Sequence, residues 1–273
     1  MSRDTSQDQT LVFDGAATCI VGSGDLETDA EAGFYVALTR DFDDHGINLR
    51  YFEVIDASGA NSAFAPTAAF LYPSMGGNLG GNDTYTLTSR FTSSLLSAEA
   101  NLVHFHRPWL DFLLGFRWFG VDENLGIIFD GIATDGQYTG GVANDLYGIR
   151  AGADILLWDK GGPLSVECML KGGIFYNDIS QHSQYVNGTT YGSLDDDHTT
   201  SLVGELLLTG TLLITPNVAI SGGFTLVCLT DLALALDQPG AIGWAAGPGY
   251  GQGIGDNGDV CYYGSVIGLI VTN

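Results

Sequence analysis

The chain has 273 residues, 32 acidic against 9 basic, for a net charge of −23. Such an acidic balance repels polyphosphate and excludes a nucleic-acid partner. Charged residues make up only 15% and hydrophobic ones 45%, too few charges and far too few lysines to clothe an ordinary soluble domain.

The start, MSRDTSQDQT, is polar and has no apolar core of the kind a secretory signal carries. Residues 1–8 are expected to be a disordered segment and 9–273 a single domain. No run of 18 apolar residues occurs, so no transmembrane helix is expected. A weak apolar run over 11–22 is the first strand candidate. Residues 31–41 and 46–56 then pair around Phe42-Asp43-Asp44-His45. Residues 84–105 and 109–121 pair around His106-Arg107-Pro108, 145–158 and 163–177 around Asp159-Lys160-Gly161-Gly162, and 199–213 and 217–231 around Thr215-Pro216. A last strand covers 260–272. That makes ten strands, and an extra hairpin within 57–83 would make twelve.

The connections alternate in length. Those inside hairpins are short. Those between them, 57–83, 122–144, 178–198 and 232–258, are long and rich in Gly, Asn, Asp and Ser, as in "TDGQYTGG" and "GPGYGQGIGDNGD". One end therefore carries tight turns and the other long polar loops, the asymmetry of membrane β-barrels.

Strand side chains alternate with period two. Leu110, Phe112, Leu114, Phe116 and Trp118 share one face, against Asp111, Gly115 and Arg117. Ile149, Ala151, Ala153, Ile155 and Leu157 oppose Arg150, Gly152 and Asp154, while Leu164, Val166, Cys168 and Leu170 oppose Ser165, Glu167 and Lys171. Leu202, Leu206, Leu208 and Leu212 oppose Glu205, Thr209 and Thr211. The second face is small and sparsely charged with both signs, which suits a narrow enclosed lumen. The first is broad and greasy, as a lipid surface must be. A bilayer also admits no open strand edge.

The fold expected is an all-β, closed antiparallel up-and-down transmembrane β-barrel of about ten strands, with short periplasmic turns and long extracellular loops. A lumen charge network is expected from Glu99, Asp111, Arg117, Arg150, Asp154, Glu167, Lys171 and Glu205. An aromatic girdle is expected from Phe105, Trp109 and Trp158 at the turn ends and Trp118, Phe175 and Tyr176 toward the loop ends. The alternative is a soluble β-barrel with the greasy face inward around an apolar ligand cavity.

Cys19, Cys168, Cys228 and Cys261 show no metal spacing. Cys168 and Cys228 fall on apolar faces and read as small hydrophobes. A pairing of Cys19 with Cys261 stays open. No cofactor and no metal is expected. The end, "GLIVTN", lacks the terminal aromatic residue common in outer-membrane barrels.

"SSLLSAEANLVHFHRPWLDFLLGFRWFGVDENLGI" (93–127) resembles a hairpin of planctomycete outer-membrane β-barrel proteins. "YGIRAGADILLWDKGGPLSVECMLKGGIFYN" (147–177) resembles the next hairpin of that family, and "GINLRYFEVID" (46–56) is similar to an early strand of it. The resemblance implies the outer membrane of a Gram-negative-type bacterium, with the lipid bilayer and the barrel-insertion machinery as partners. It implies no catalytic residue, and no enzymatic activity is expected. The job expected is structural, through surface loops, or that of a small pore.

Two alternatives assign work to the loops. His182, Asp195, Asp196, Asp197 and His198 offer carboxylates and imidazoles that could activate water in a membrane-embedded hydrolase. Asp195, Asp196 and Asp197 also form a candidate cation-binding loop, which would reach lipopolysaccharide through bridging divalent ions.

Overall fold

A computed structural model describes residues 1–5, 10–14, 19–26, 31–65, 69–71, 84–131, 135–187, 189–238 and 254–272. Ten strands form one antiparallel sheet. They are β1 (Ser2–Thr5), β4 (Gly33–Asp41), β5 (His45–Ala65), β7 (Tyr85–Arg107), β8 (Leu110–Gly131), β9 (Gly136–Asp159), β10 (Leu164–Asn187), β11 (Thr189–Thr215), β12 (Val218–Leu232) and β13 (Gly258–Val271). From β4 to β13 each pairs with the next of these ten strands along the chain, β5 with β7 across the intervening strand Ala69–Leu71, and β1 pairs with β13. A separate small sheet holds β2 (Thr10–Asp14), β3 (Cys19–Gly22) and β6 (Ala69–Leu71).

The meander is as expected, but its membership is not. The run 11–22 lies in the small sheet, and the tenth strand of the large one is Ser2–Thr5, inside the segment expected to be disordered. The run near 57–83 supplies no extra hairpin among the described residues; β5 runs on to Ala65 and Ala69–Leu71 joins the small sheet. Among the described residues no ladder closes the large sheet; beside its end strands, the Glu31 N–H donates to the Met1 carbonyl at 3.1 Å and the Met1 amine to the Glu31 carbonyl.

The sheet nevertheless curls tightly, because side chains meet across its concave side. Arg3 on β1 reaches Glu123 on β8 at 2.6 Å, and Ser93 on β7 reaches the Tyr262 hydroxyl on β13 at 3.1 Å.

The strands are far longer than expected. β10 has 24 residues, about 80 Å of extended chain. The stretches 122–144 and 178–198, expected as loops, are mostly strand. Their alternation is real but inverted. Leu125, Ile127, Phe129, Ile179 and Tyr185 point inward, while Asp122, Asn124, Asp130, Ser180 and Gln184 point outward. Scattered Gly, Asn and Asp imitate loop composition there.

Beyond β12 the chain turns in rather than out. Asp231 adopts a left-handed φ of 55°, and Leu232 to Leu236 are buried. Ala233 exchanges hydrogen bonds with the Asn144 side chain at 2.7 and 2.9 Å, and the Ala235 N–H donates to Glu123 at 3.0 Å. Together with Leu11, Val12, Val21 and Leu26 from the small sheet and the turn after it, this segment packs into one apolar core with Tyr85, Phe91 and Phe129. The interior is thus filled at the loop end.

Candidate functional site

In the half nearer the tight turns, the inside is charged and the outside apolar. Arg117 is 1% exposed, whereas its neighbour Phe116 is 52% exposed. Five of the eight residues expected in a charge network come together: Glu99 on β7, Arg117 on β8, Arg150 on β9, Lys171 on β10 and Glu205 on β11. Arg117 bonds Glu205 and lies 3.2 Å from Glu99. Arg150 bonds Glu99 and lies 2.9 Å from Glu205. The Lys171 ammonium is 3.1 Å from Glu99 and 3.8 Å from Glu205. Arg50 on β5, unassigned by sequence, adds a fourth cation 3.7 Å from Glu99. Its inward position depends on the β5–β7 register, Arg50 opposite Glu99, which the hairpin pattern alone does not reveal.

Asp111, Asp154 and Glu167 face the same interior one layer toward the turns, part-buried, and make none of these ion pairs. Asp154 lies within electrostatic reach of Arg50 and Lys171. A buried charge left unpaired would cost several kcal/mol. Sharing each carboxylate among three or four cations avoids that cost.

Glycines make room for the long side chains. A Cβ on Gly152 would meet the Lys171 stem at 2.7 Å, and one on Gly148 would meet the Phe175 ring at 2.5 Å. Above the charges lies an aromatic layer. The Arg117 guanidinium sits 3.9 Å from the Phe119 ring centre and 5.2 Å from that of Phe52, and Phe119 meets Phe175 edge-on at 5.6 Å. The void between Arg150, Lys171, Phe175 and Glu205 measures about 10 Å³, room for at most one water. The cluster therefore ties β5, β7, β8, β9, β10 and β11 together across the concave side of the sheet.

Two girdle assignments need correction. Phe175 is buried inside, because its parity matches Lys171. Phe105 also takes the inward parity, with its ring over Gly46. Trp109, Trp118, Trp158 and Tyr176 do lie on the outside. Trp158 gets there through a bulge, since Trp158 pairs with Val166 and Leu156 with Glu167, leaving Leu157 as the extra residue. Tyr51, Ala98, Trp118, Tyr147, Tyr176 and Thr200 occupy one row of directly paired positions across six strands. Below that row the outside is apolar, and above it Asp122, Asp145, Asp178 and His198 begin a polar surface.

The candidate cation loop is also corrected. Asp195, Asp196 and Asp197 lie on β11, opposite Gln181, Ser180 and Ile179. Consecutive strand residues face opposite sides, so the three cannot share one ion. No group of metal-ligating side chains occurs among the described residues. His182 pairs with Leu194, and His198 stacks on Tyr176 at 5.7 Å, so the two imidazoles do not converge with the aspartates on one centre.

Cys228 is no isolated hydrophobe. It is opposite Cys261 across β12 and β13 and is bonded to it. Cys19 and Cys168 are free. The pairing becomes visible only with the β12–β13 register in hand.

No family model and no curated protein matches this chain.

Proposed function

We propose that the chain is an outer-membrane β-barrel that spans the bilayer with its turn-side half and projects the loop-side half beyond it, as a plugged structural scaffold rather than a solute pore. One observation carries this reading. Alternate residues of the turn half place Leu114, Phe116, Ile149, Leu170 and Leu208 outside while Arg117, Arg150 and Lys171 are inside, an arrangement stable only where the outside is not water.

Other features agree. A strand crosses the hydrocarbon in about 9–11 residues, and on β10 the apolar outer stretch runs from Leu164 to Tyr176 before Asp178 and Ser180 begin a polar outside. The row of Tyr51, Trp118, Tyr147 and Tyr176 stands where an interfacial aromatic belt would be. The Cys228–Cys261 bond fits an oxidising envelope compartment. The resemblance of 46–56 and 93–177 to planctomycete barrels points the same way. Filling of the interior by the charge cluster, the aromatic layer and the inward segment 232–238 favours a scaffold over a channel.

The test is expression in a Gram-negative host with membrane fractionation. The protein is expected in the outer-membrane fraction, resistant to carbonate extraction, with faster migration on unheated gels. In planar bilayers it is expected to give no steady unit currents. Recovery as a soluble monomer would overturn the membrane reading, and stable conductance steps would overturn the plug.

A further inference from the structure

The bases that are not inside gather at one end of the sheet. Of the nine Lys and Arg residues, Arg3, Arg50, Arg117, Arg150 and Lys171 are inside. Three of the remaining four stand beside tight turns: Arg40 before the β4–β5 turn, Arg107 at the end of β7 and Lys160 between β9 and β10. Arg90 alone is exposed on the loop half. The same rim carries His45, His104 and His106, three of the five histidines.

These side chains form one patch. His45 and His104 are directly opposite on β5 and β7. The Phe105 N–H donates to the Asp44 carbonyl at 3.2 Å, so the ladder bond lies beside the pair rather than within it, the arrangement that brings facing side chains closest. The His106 ring lies 6.4 Å from that of His104 and 5.3 Å from that of Phe112. Arg107 is opposite Leu110. Arg40, on the adjacent strand, lies 5.7 Å from the Phe42 ring, on which His45 stacks at 5.1 Å. All five bases are exposed on the outside, where the apolar band of Leu38, Ile47, Leu102 and Phe112 ends. The acids of this end are placed differently. Asp41 and Asp111 take the inward parity, and Asp43 stands on the turn tip. Among the described residues the patch has one ion pair, His45 with Asp44 at 2.7 Å. Arg40 and Arg107 are left without a carboxylate partner there.

We infer that this rim of β4, β5, β7 and β8 binds the headgroup phosphate of anionic phospholipids. The inference rests on the membrane reading above, which puts the end of the apolar band at the level of the headgroups. Arginine grips phosphate oxygens through paired N–H donors, and bases beside an anionic membrane surface are attracted to it. A phosphate seated among these bases also relieves the repulsion between like charges held side by side. A zwitterionic lipid brings its own cation to the same place, so the patch prefers a lipid of net negative charge. The rest of the rim supplies a contrast. The β11–β12 turn, Thr215-Pro216-Asn217, carries no charge.

The experiment uses the full chain in phosphatidylcholine vesicles doped with a photo-crosslinking phosphatidylglycerol or phosphatidylcholine, both with the same diazirine beside the glycerol. Adducts are mapped by mass spectrometry. Labelling over 38–47 and 102–112 is expected to be about fivefold or more higher with the phosphatidylglycerol probe, while labelling around the uncharged turn, 213–219, is expected to be equal with both. Arg40→Gln/Arg107→Gln should bring the preference below about twofold, and Arg90→Gln should leave it intact. Equal labelling by both probes at the basic rim would overturn the inference. So would the same preference at the uncharged turn, or equal loss with Arg90→Gln, since either makes the effect one of overall charge. Loss of the preference in inorganic phosphate, but not in sodium chloride of equal ionic strength, would assign the patch to a free anion and overturn the lipid as its ligand. Flotation is read on the same samples. Insertion without the preference defeats the lipid site alone, whereas failure to float defeats the membrane reading and the site together.

Discussion

The turn half and the loop half use the same strands with opposite polarity. On β8, Leu114 and Phe116 are outside and Arg117 inside; a few residues on, Asp122 and Asn124 are outside and Leu125, Ile127 and Phe129 inside. Parity never changes between them, so the strand does not turn over. What changes is which side carries the apolar residues, and the change falls close to the row of Tyr51, Trp118, Tyr147 and Tyr176. The loop half is built like a soluble β-barrel, with an apolar core and polar exterior. The turn half has polar contents and a greasy exterior. On the membrane reading proposed above, the two solvents of one continuous strand are written in its sequence as a reversal of pattern.

Substitutions can break this comparison, beginning with the largest effect. Arg117→Ala removes a cation that serves both Glu99 and Glu205. It should cost about 3–5 kcal/mol, because buried charge is left uncompensated, read as a lowered urea midpoint of the protein in detergent or vesicles. Phe129→Ala, in the apolar core of the loop half, should cost about 3–5 kcal/mol by cavity formation. It should do so without impairing membrane insertion, which flotation would check.

The sharpest contrast uses one substitution at two heights. Leu114 and Ile128 are both on the outside of β8, 62% and 50% exposed. Leu114→Arg should destabilise the inserted protein by about 2–4 kcal/mol, as a cation facing the bilayer midplane does. Ile128→Arg should change stability by less than about 0.5 kcal/mol, as at an ordinary exposed site. Equal effects in reversible unfolding from vesicles would erase the distinction between the halves.

The smallest effect concerns pH. Asp237, part-buried in the loop half near Glu123, has its carboxyl pushed up to about 6, chiefly by burial. A raised carboxyl pKa means the folded state prefers the proton. Its contribution is full at low pH, below the ordinary carboxylate range, and is lost as pH rises through about 6. Asp237→Asn should flatten stability between about pH 4 and 7, by on the order of 1–2 kcal/mol. Thermal melts across that range check it.

Much of the turn half was legible because its signals were local. Tight turns such as Asp159-Lys160-Gly161-Gly162, where Gly161 takes φ 71° and donates to Asp159, mark the hairpins. Alternation over 109–118 and 202–212 separates the faces. Residues Glu99, Arg117, Arg150, Lys171 and Glu205 fall on one face by parity alone. The loop half was not legible as strand, because Gly, Asn and Asp on an exposed face look like loop, and the apolar partners between them were not read as the inside. Features fixed by register between distant segments were also hidden: Arg50 beside Glu99, Cys228 beside Cys261, Arg3 against Glu123, and the return of Leu232–Leu236 into the interior. The girdle was half legible. Tyr176 and Phe175 are adjacent aromatics near the same level, and parity along β10 separates them, Phe175 falling with Lys171 inside and Tyr176 with Leu170 outside.

The central claim is that the outside of the turn half meets lipid and the outside of the loop half meets water. Single cysteines at Leu114, Ile149 and Leu208, and at Asp122, Ile128 and Ser180, all in a background with Cys19 and Cys168 replaced by serine, can be challenged with a membrane-impermeant maleimide on reconstituted vesicles. The account predicts that the first three are shielded until detergent is added and that the last three react at once. Immediate labelling at Leu114, Ile149 and Leu208 in intact vesicles would contradict it.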